Sequence, residues 1–210
     1  MLVTALLTAM VAVSGCQDGD ANSKDPADED AAGSSCSQVL SAQAKAAMLR
    51  LADVPASAKA DYVGDPRRTA DQLAAQYLTG RADETGLSFC GAYAGSSGPA
   101  SVEVQFSLSR ALPRKRAAAA DFKEYRMGKA ALVGAKTAFL YFDCSSSKFD
   151  GTTQLIRGEV RTTYEDTEPP AVAREDHLRV LHDSSRVLSG LLGCGQGSGI
   201  TGAFTMPPAV

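Results

Sequence analysis

Apolar positions follow a helical period in the first third of the chain, an alternating period in its middle and a helical period again near its end. In the first helical part the sequence predicts a helix from Ser37 that ends before Pro55. Its apolar positions are Leu40, Ala44, Ala47, Met48 and Leu51. A second helix is predicted after Asp65 as its N-cap, with Pro66 in the first position and Gly80 at its C-terminal cap.

The middle of the chain alternates between apolar and polar residues, which is typical of half-buried strands. Strands are predicted at Leu87–Cys90, Val102–Leu108, Ala138–Phe142 and Gln154–Tyr164. The run Ala138–Phe142 is apolar throughout, so we expect it to be the central strand, buried on both faces. Gly128 and Gly134 bracket a predicted hairpin region, while the pattern from Arg110 to Arg126 fits either a helix or a loop that leads into a strand.

The longest predicted helix covers Ala171 to Leu192 and ends at Gly193. Its apolar stripe contains Leu178, Leu181, Ser185, Leu188 and Leu192. The order of helices, strands and a final helix predicts an α+β domain over residues 36–194, in which an antiparallel sheet of about four to five strands packs against helices. Residues 195–210 are rich in Gly and Pro, and we expect them to form a loose C-terminal tail.

The first 13 residues carry no charged side chain, and the small residues Ser14 and Gly15 then precede Cys16. This apolar run is too short to span a bilayer but has the length of a signal-peptide core. The sequence Val13-Ser14-Gly15-Cys16 resembles the lipobox of bacterial lipoproteins, although no Lys or Arg precedes it. The resemblance implies a signal peptide over residues 1–15, acyl chains on Cys16 and a location on the outer face of the cytoplasmic membrane. The alternative is a buried N-terminal strand or helix with a chance cysteine.

Charge is distributed unevenly in this chain of 210 residues, whose net charge is −3. Residues 17–35 contain six acidic residues against one Lys, a net charge of −5, which leaves +2 for the remainder. Residues 16–35 also lack large apolar side chains, so we expect a disordered acidic tether. No concentrated basic face is present, which argues against a nucleic-acid partner. Aromatic residues make up 6% and Trp is absent, which disfavours a carbohydrate-stacking surface.

Four cysteines remain besides Cys16, namely Cys36, Cys90, Cys144 and Cys194. An even number in an exported chain predicts two disulfides, with three connectivities open. We expect Cys90 to pair with Cys144, and Cys36 with Cys194. A zinc site is the alternative, but the chain has neither CxxC nor Cys-His ligand spacing, so no metal or other cofactor is predicted.

His177 and His182 are the only histidines, and they lie five residues apart on the last predicted helix. This separation places them roughly 140° apart around the helix axis, which is poor geometry for a shared metal. We expect both to be solvated. The partners of a Ser-His-Asp triad come from distant positions, so a triad stays open, although no GxSxG motif is present.

One basic stretch contains Arg114, Lys115 and Arg116. Its two interpretations are a solvated face and a contact with anionic lipid headgroups or cell-wall polymers.

The complete layout also resembles small lipoproteins of actinobacteria. The shared features are the lipobox, the acidic tether, a Cys that begins the first helix, a strand of the LYFDC type and a last helix that closes in Leu-Gly-Cys. The resemblance covers Cys36 to Cys194 and implies a fold and a location rather than an activity.

Together these patterns favour a non-enzymatic binding or accessory module of the cell envelope that is held to the membrane through Cys16. The expected partner of this module is an envelope protein or a small molecule. A small secreted hydrolase is the main alternative. A solute-binding protein of a transporter is less favoured, because about 160 ordered residues are few for two lobes.

Overall fold

The computed structural model describes residues 35–55, 60–80, 85–93, 101–113, 122–163, 170–200 and 202–210. Within these residues the chain forms four α-helices and seven strands. The helices are α1 (Cys36–Val39), α2 (Ala42–Leu51), α3 (Pro66–Leu78) and α4 (Pro170–Leu192). The strands are β1 (Asp61–Val63), β2 (Leu87–Tyr93), β3 (Val102–Ser109), β4 (Lys123–Tyr125), β5 (Ala130–Val133), β6 (Thr137–Ser145) and β7 (Thr153–Thr162).

All described strands join one antiparallel sheet in the order β1-β2-β3-β7-β6-β5-β4. The α+β class is therefore confirmed, whereas the prediction of four to five strands is too low. Strand β1, of three residues, was not predicted. Strand β5, of four residues, lies in the predicted hairpin region between Gly128 and Gly134, and β4, of three, lies near the end of the stretch Arg110–Arg126, for which a helix or a loop leading into a strand was predicted. Segments this short cannot show an alternating pattern. The middle of the sheet is β7, with the predicted central strand β6 beside it.

Two helices cover one face of the sheet, and a third packs on the outside of this layer. Helix α4 lies against β6 and β7, α3 lies against β2 and β3, and α2 packs on α4. Gly158 in β7 makes the close approach of α4 feasible, because a Cβ there would lie 2.8 Å from the Phe106 ring and 3.4 Å from Leu181. The opposite face carries ion pairs from Glu159 to Arg157 and Arg161.

The helix boundaries follow the predicted capping signals closely. The Asp65 carboxylate accepts a hydrogen bond from Arg68 N at 2.9 Å and begins α3. Gly80 and Gly193, which follow α3 and α4, adopt positive φ values of 65° and 70°, where glycine is favoured. The predicted first helix is divided in two, because Leu40 and Ser41 are extended and the Ser41 side chain caps a new helix, α2.

The cysteines form two disulfides in the described part of the chain, Cys36–Cys90 and Cys144–Cys194. The prediction of disulfides is confirmed, but the predicted pairs, Cys90 with Cys144 and Cys36 with Cys194, are wrong. The strand order explains why. Cys90 lies in β2 and Cys144 in β6, three strand positions apart, or roughly 14 Å. A disulfide requires Cα atoms within about 7 Å.

The C-terminal segment differs from the loose tail that the sequence predicted. Arg126 N donates to Pro208 O and Val210 N donates to Glu124 O, each at 3.0 Å. Tyr125 and Ala209 thereby form an antiparallel bridge at the outer side of β4. Ile200 is buried, and Phe204 packs against the core.

Several predicted features lie outside the described residues. They are the signal peptide over residues 1–15, the anchor Cys16, the acidic tether up to residue 34, and the basic residues Arg114, Lys115 and Arg116. These features stay predictions. No helix in the described ranges combines the length and apolar character that crossing a membrane requires.

Candidate ligand groove

Helices α2 and α4 run antiparallel and are joined by a polar contact at each end of α2. At the N-terminal end, Ser41 N donates to the Asp183 carboxylate at 2.7 Å. At the C-terminal end, Arg50 donates to Asp176, from Nε at 2.7 Å and from Nη2 at 2.5 Å. The bidentate geometry matches the planar guanidinium to the carboxylate. These two contacts fix the spacing of the two helices. One side of the helix pair is left open to solvent between them.

A groove lies along this open side, and Arg179 divides it into two cavities. One cavity, of about 320 Å³, is lined by Arg50 and Glu175 among other residues. The second, of about 310 Å³, is lined by residues that include Arg186 and Phe204. Gln43 and Arg179 line both cavities. Volumes of this size are at the lower end of those that hold small molecules.

The first cavity contains strongly paired charges. The Asp176 side chain is only 3% exposed, while that of Arg50 is 43% exposed. Arg179 Nη2 donates to Glu175 at 2.7 Å across one helical turn. Because the Glu175 side chain is 44% exposed, solvent screens this second pair and it contributes little to stability.

The second cavity contains a weaker ion pair and an aromatic wall. Arg186 Nη2 lies 3.4 Å from Asp183 Oδ1, and the Arg186 side chain is 47% exposed. The Arg179 guanidinium carbon lies 4.5 Å from the centre of the Phe204 ring, within the range of a cation–π contact. Phe204 also meets the His182 ring edge-on, with 5.6 Å between the ring centres.

Both histidines are buried, so the prediction of two solvated histidines is wrong. His177 has no exposed surface, and its Nδ1 lies 2.9 Å from Ala173 O. A carbonyl accepts, so Nδ1 carries the proton of the neutral ring. Among the described residues, Nε2 has no hydrogen-bond partner. Burial lowers the pKa of His177, while the bond to Ala173 and the charge of Asp176 oppose this shift.

The burial of the histidines follows from the position of α4 between the sheet and α2. An amphipathic helix on a surface exposes about half of its circumference, but α4 contacts β6, β7, α2 and α3. Asp176, which neighbours His177 in sequence, bonds to Arg50 instead. The geometry therefore does not place His177 within reach of a substrate in the groove.

The sequence did not indicate the groove residues in advance. Arg179 and Arg186 are seven residues apart and so share one side of α4, but charged residues on an amphipathic helix usually form a solvated face. The position of Phe204 depends on how the C-terminal segment folds back. In the described part of the chain, no group of three or more His, Cys, Asp or Glu residues could hold a metal ion.

Comparisons with protein-family models, with curated proteins and with solved structures find no match to this chain.

Proposed function

We propose that this chain is a lipid-anchored, extracytoplasmic binding module of the cell envelope, and that it binds its ligand in the groove between α2 and α4. The proposal joins the lipobox-like sequence before Cys16 to the properties of the described domain. The anchor would hold the domain at the membrane surface, and residues 17–35 would separate it from the headgroups.

The two disulfides are the observation that supports the proposed location outside the cytosol. Disulfides persist outside the cytosol and are rare inside it, where thiols are kept reduced. Cys36–Cys90 joins α1 to β2, and Cys144–Cys194 joins β6 to the segment after α4. Every cysteine that follows Cys16 is thus paired, which leaves Cys16 as the one thiol available for acylation.

The residues that line the groove support the proposal that this domain binds a small ligand. It combines cationic, anionic and amide side chains with the aromatic wall of Phe204. A few polar groups beside apolar surface are typical of sites that fix the orientation of a ligand. His177 and His182, the two histidines that a hydrolase could use as a base, are both buried side chains of α4, and neither lines the groove.

Intact mass spectrometry of the protein made in its host tests the proposal. We expect a chain that begins at Cys16 and carries acyl chains, and four further cysteines that resist alkylation until a reductant is added. Cys16→Ser should abolish acylation and release the protein from the membrane fraction. Ser14→Ala keeps a small residue before the cysteine and should leave acylation unchanged.

An unprocessed leader together with four freely alkylated thiols would reject the proposed location. Acylation that persists in the Cys16→Ser variant would reject the assigned anchor.

A further inference from the structure

The second cavity of the groove, between the start of α2 and the middle of α4, has the chemistry of an anion site. Arg179 and Arg186 lie on one side of α4, two turns apart, and both line this cavity. Each guanidinium carries five N–H donors. Within the described residues, Arg186 makes one long contact, to Asp183, and Arg179 bonds to the exposed Glu175.

The carboxylate that lines this cavity, that of Asp183, already has hydrogen-bond partners. Asp183 Oδ2 accepts from Ser41 N at 2.7 Å, and Oδ1 faces Arg186 at 3.4 Å. Asp183 therefore stabilises the end of α2 and pairs with Arg186 through one nitrogen, Nη2, so that among the described residues the other N–H groups of this guanidinium are left to donate into the cavity. The Ser41 hydroxyl accepts from Ala44 N, which leaves its own hydrogen able to donate into the cavity.

The aromatic wall gives the cavity a second property. The Arg179 guanidinium lies against the Phe204 ring, 4.5 Å from the ring centre, and bonds to Glu175, and these two contacts restrict its movement. A guanidinium whose movement is restricted loses less conformational freedom when it forms two parallel bonds to a planar or tetrahedral oxyanion. The ring also offers apolar surface to the part of a ligand that adjoins the charged group.

We infer that this cavity binds a small ligand with a phosphate or carboxylate group, which Arg179 and Arg186 hold jointly and toward which Ser41 donates. The inference rests on the proposed binding function and adds the chemistry of the ligand. The oxyanion displaces the exposed Glu175 from Arg179 and bonds to the N–H groups of Arg186 that do not face Asp183. No covalent step is involved.

Titration of the full chain, with its disulfides intact, tests the inference. Inorganic phosphate and succinate are added in separate calorimetric experiments at constant ionic strength set with sodium chloride. We expect saturable binding of at least one anion below about 10 mM. Arg179→Gln and Arg186→Gln should each weaken this binding about tenfold, because each removes a charge-assisted contact. Arg67→Gln, which changes an exposed arginine of α3, should leave it unchanged.

A third titration separates free anions from lipid headgroups. Vesicles of phosphatidylglycerol are compared with vesicles of phosphatidylcholine, and binding of the anionic vesicles that depends on Arg186 would assign the group to a lipid. Circular dichroism confirms that each variant is folded.

Anion binding that is equal in wild type, Arg179→Gln and Arg186→Gln would overturn the inference, as would the absence of binding in all three titrations. The proposed location is tested independently. It is rejected if Cys16 carries no acyl chain, whatever the outcome of the titrations.

Discussion

At the scale of single residues, His177 shows how a helix that is covered on several sides changes the chemistry of its polar groups. Its ring is buried, its Nδ1 faces the Ala173 carbonyl, and its Nε2 meets no partner among the described residues. Protonation would place a cation where burial excludes water, and the bond to Ala173 and the charge of Asp176 compensate only part of this cost, so the pKa falls below the ordinary value of 6.5. The imidazole therefore stays neutral in the folded domain while it gains a proton in the unfolded chain.

This difference predicts a loss of stability in mild acid. A base whose pKa is lowered on folding contributes full stability above its unfolded pKa, and this contribution is lost as the pH falls below 6.5. The free energy of unfolding should fall between pH 7.5 and 5.5 with a slope that approaches about 1.4 kcal/mol per pH unit at the acid end. Urea unfolding of wild type and of His177→Asn measures it. The asparagine amide keeps a donor near Ala173 but does not titrate, so its slope should be shallower.

Equal slopes in the two proteins would show that His177 is not the group responsible. The comparison uses slopes, so a constant difference in stability between the proteins does not affect it.

At the scale of elements, the sequence predicted what local signals determine and missed what the sheet determines. The capping residues of α3, the glycines after α3 and α4, and the apolar stripe of α4 all have the expected positions. Strand β1 exists because Asp61–Val63 finds a partner in β2, and three residues carry no period of their own. The disulfide pairs depend on the strand order, which no local pattern reveals. The groove depends on how α2 packs on α4, a contact that forms between segments more than 120 residues apart.

The ion pair between Arg50 of α2 and Asp176 of α4 predicts that the loss of either partner lowers the stability by a different amount. Arg50→Met leaves the buried carboxylate of Asp176 without its bidentate partner and should cost roughly 2–3 kcal/mol, a reduced form of the cost of breaking a fully buried pair. Asp176→Asn leaves a guanidinium that is 43% exposed and can be hydrated, so its cost should be about 1 kcal/mol. Chemical unfolding of both variants and of the double variant measures the two costs and their coupling.

A larger loss in Asp176→Asn than in Arg50→Met would contradict this account of the pair. Additive losses in the double variant would show that the two side chains do not act together.

At the scale of the whole molecule, the two disulfides connect the helical layer to the sheet at separate places. Cys36–Cys90 closes a segment of 54 residues, and Cys144–Cys194 closes one of 50. The first lies toward β2 and the second at β6, on either side of the middle strand β7. The helical layer is therefore held to the sheet at two points.

Because the two disulfides close segments of similar length, we expect them to contribute similarly to the free energy of unfolding. Chain-entropy arguments give about 4 kcal/mol for each closure. Cys36→Ala/Cys90→Ala and Cys144→Ala/Cys194→Ala should each lower the free energy of unfolding by about this amount, measured by denaturation without reductant. Cys36→Ala/Cys194→Ala is the matched control, because it breaks both bridges and leaves two cysteines too distant to pair.

The control should therefore resemble the reduced wild type in stability, and its remaining thiols should react with an alkylating reagent. A bridge between Cys90 and Cys144, found by peptide mapping in this control, would contradict the strand order.

The short outer strands have a consequence for the behaviour of the protein at high concentration. An exposed sheet edge can recruit the backbone of a neighbouring molecule and begin fibre-like polymerisation. Here β1 is three residues long, and β4 is already bridged from outside at Tyr125 by the segment that contains Ala209. Removal of residues 202–210 should therefore promote self-association rather than simply shorten the chain.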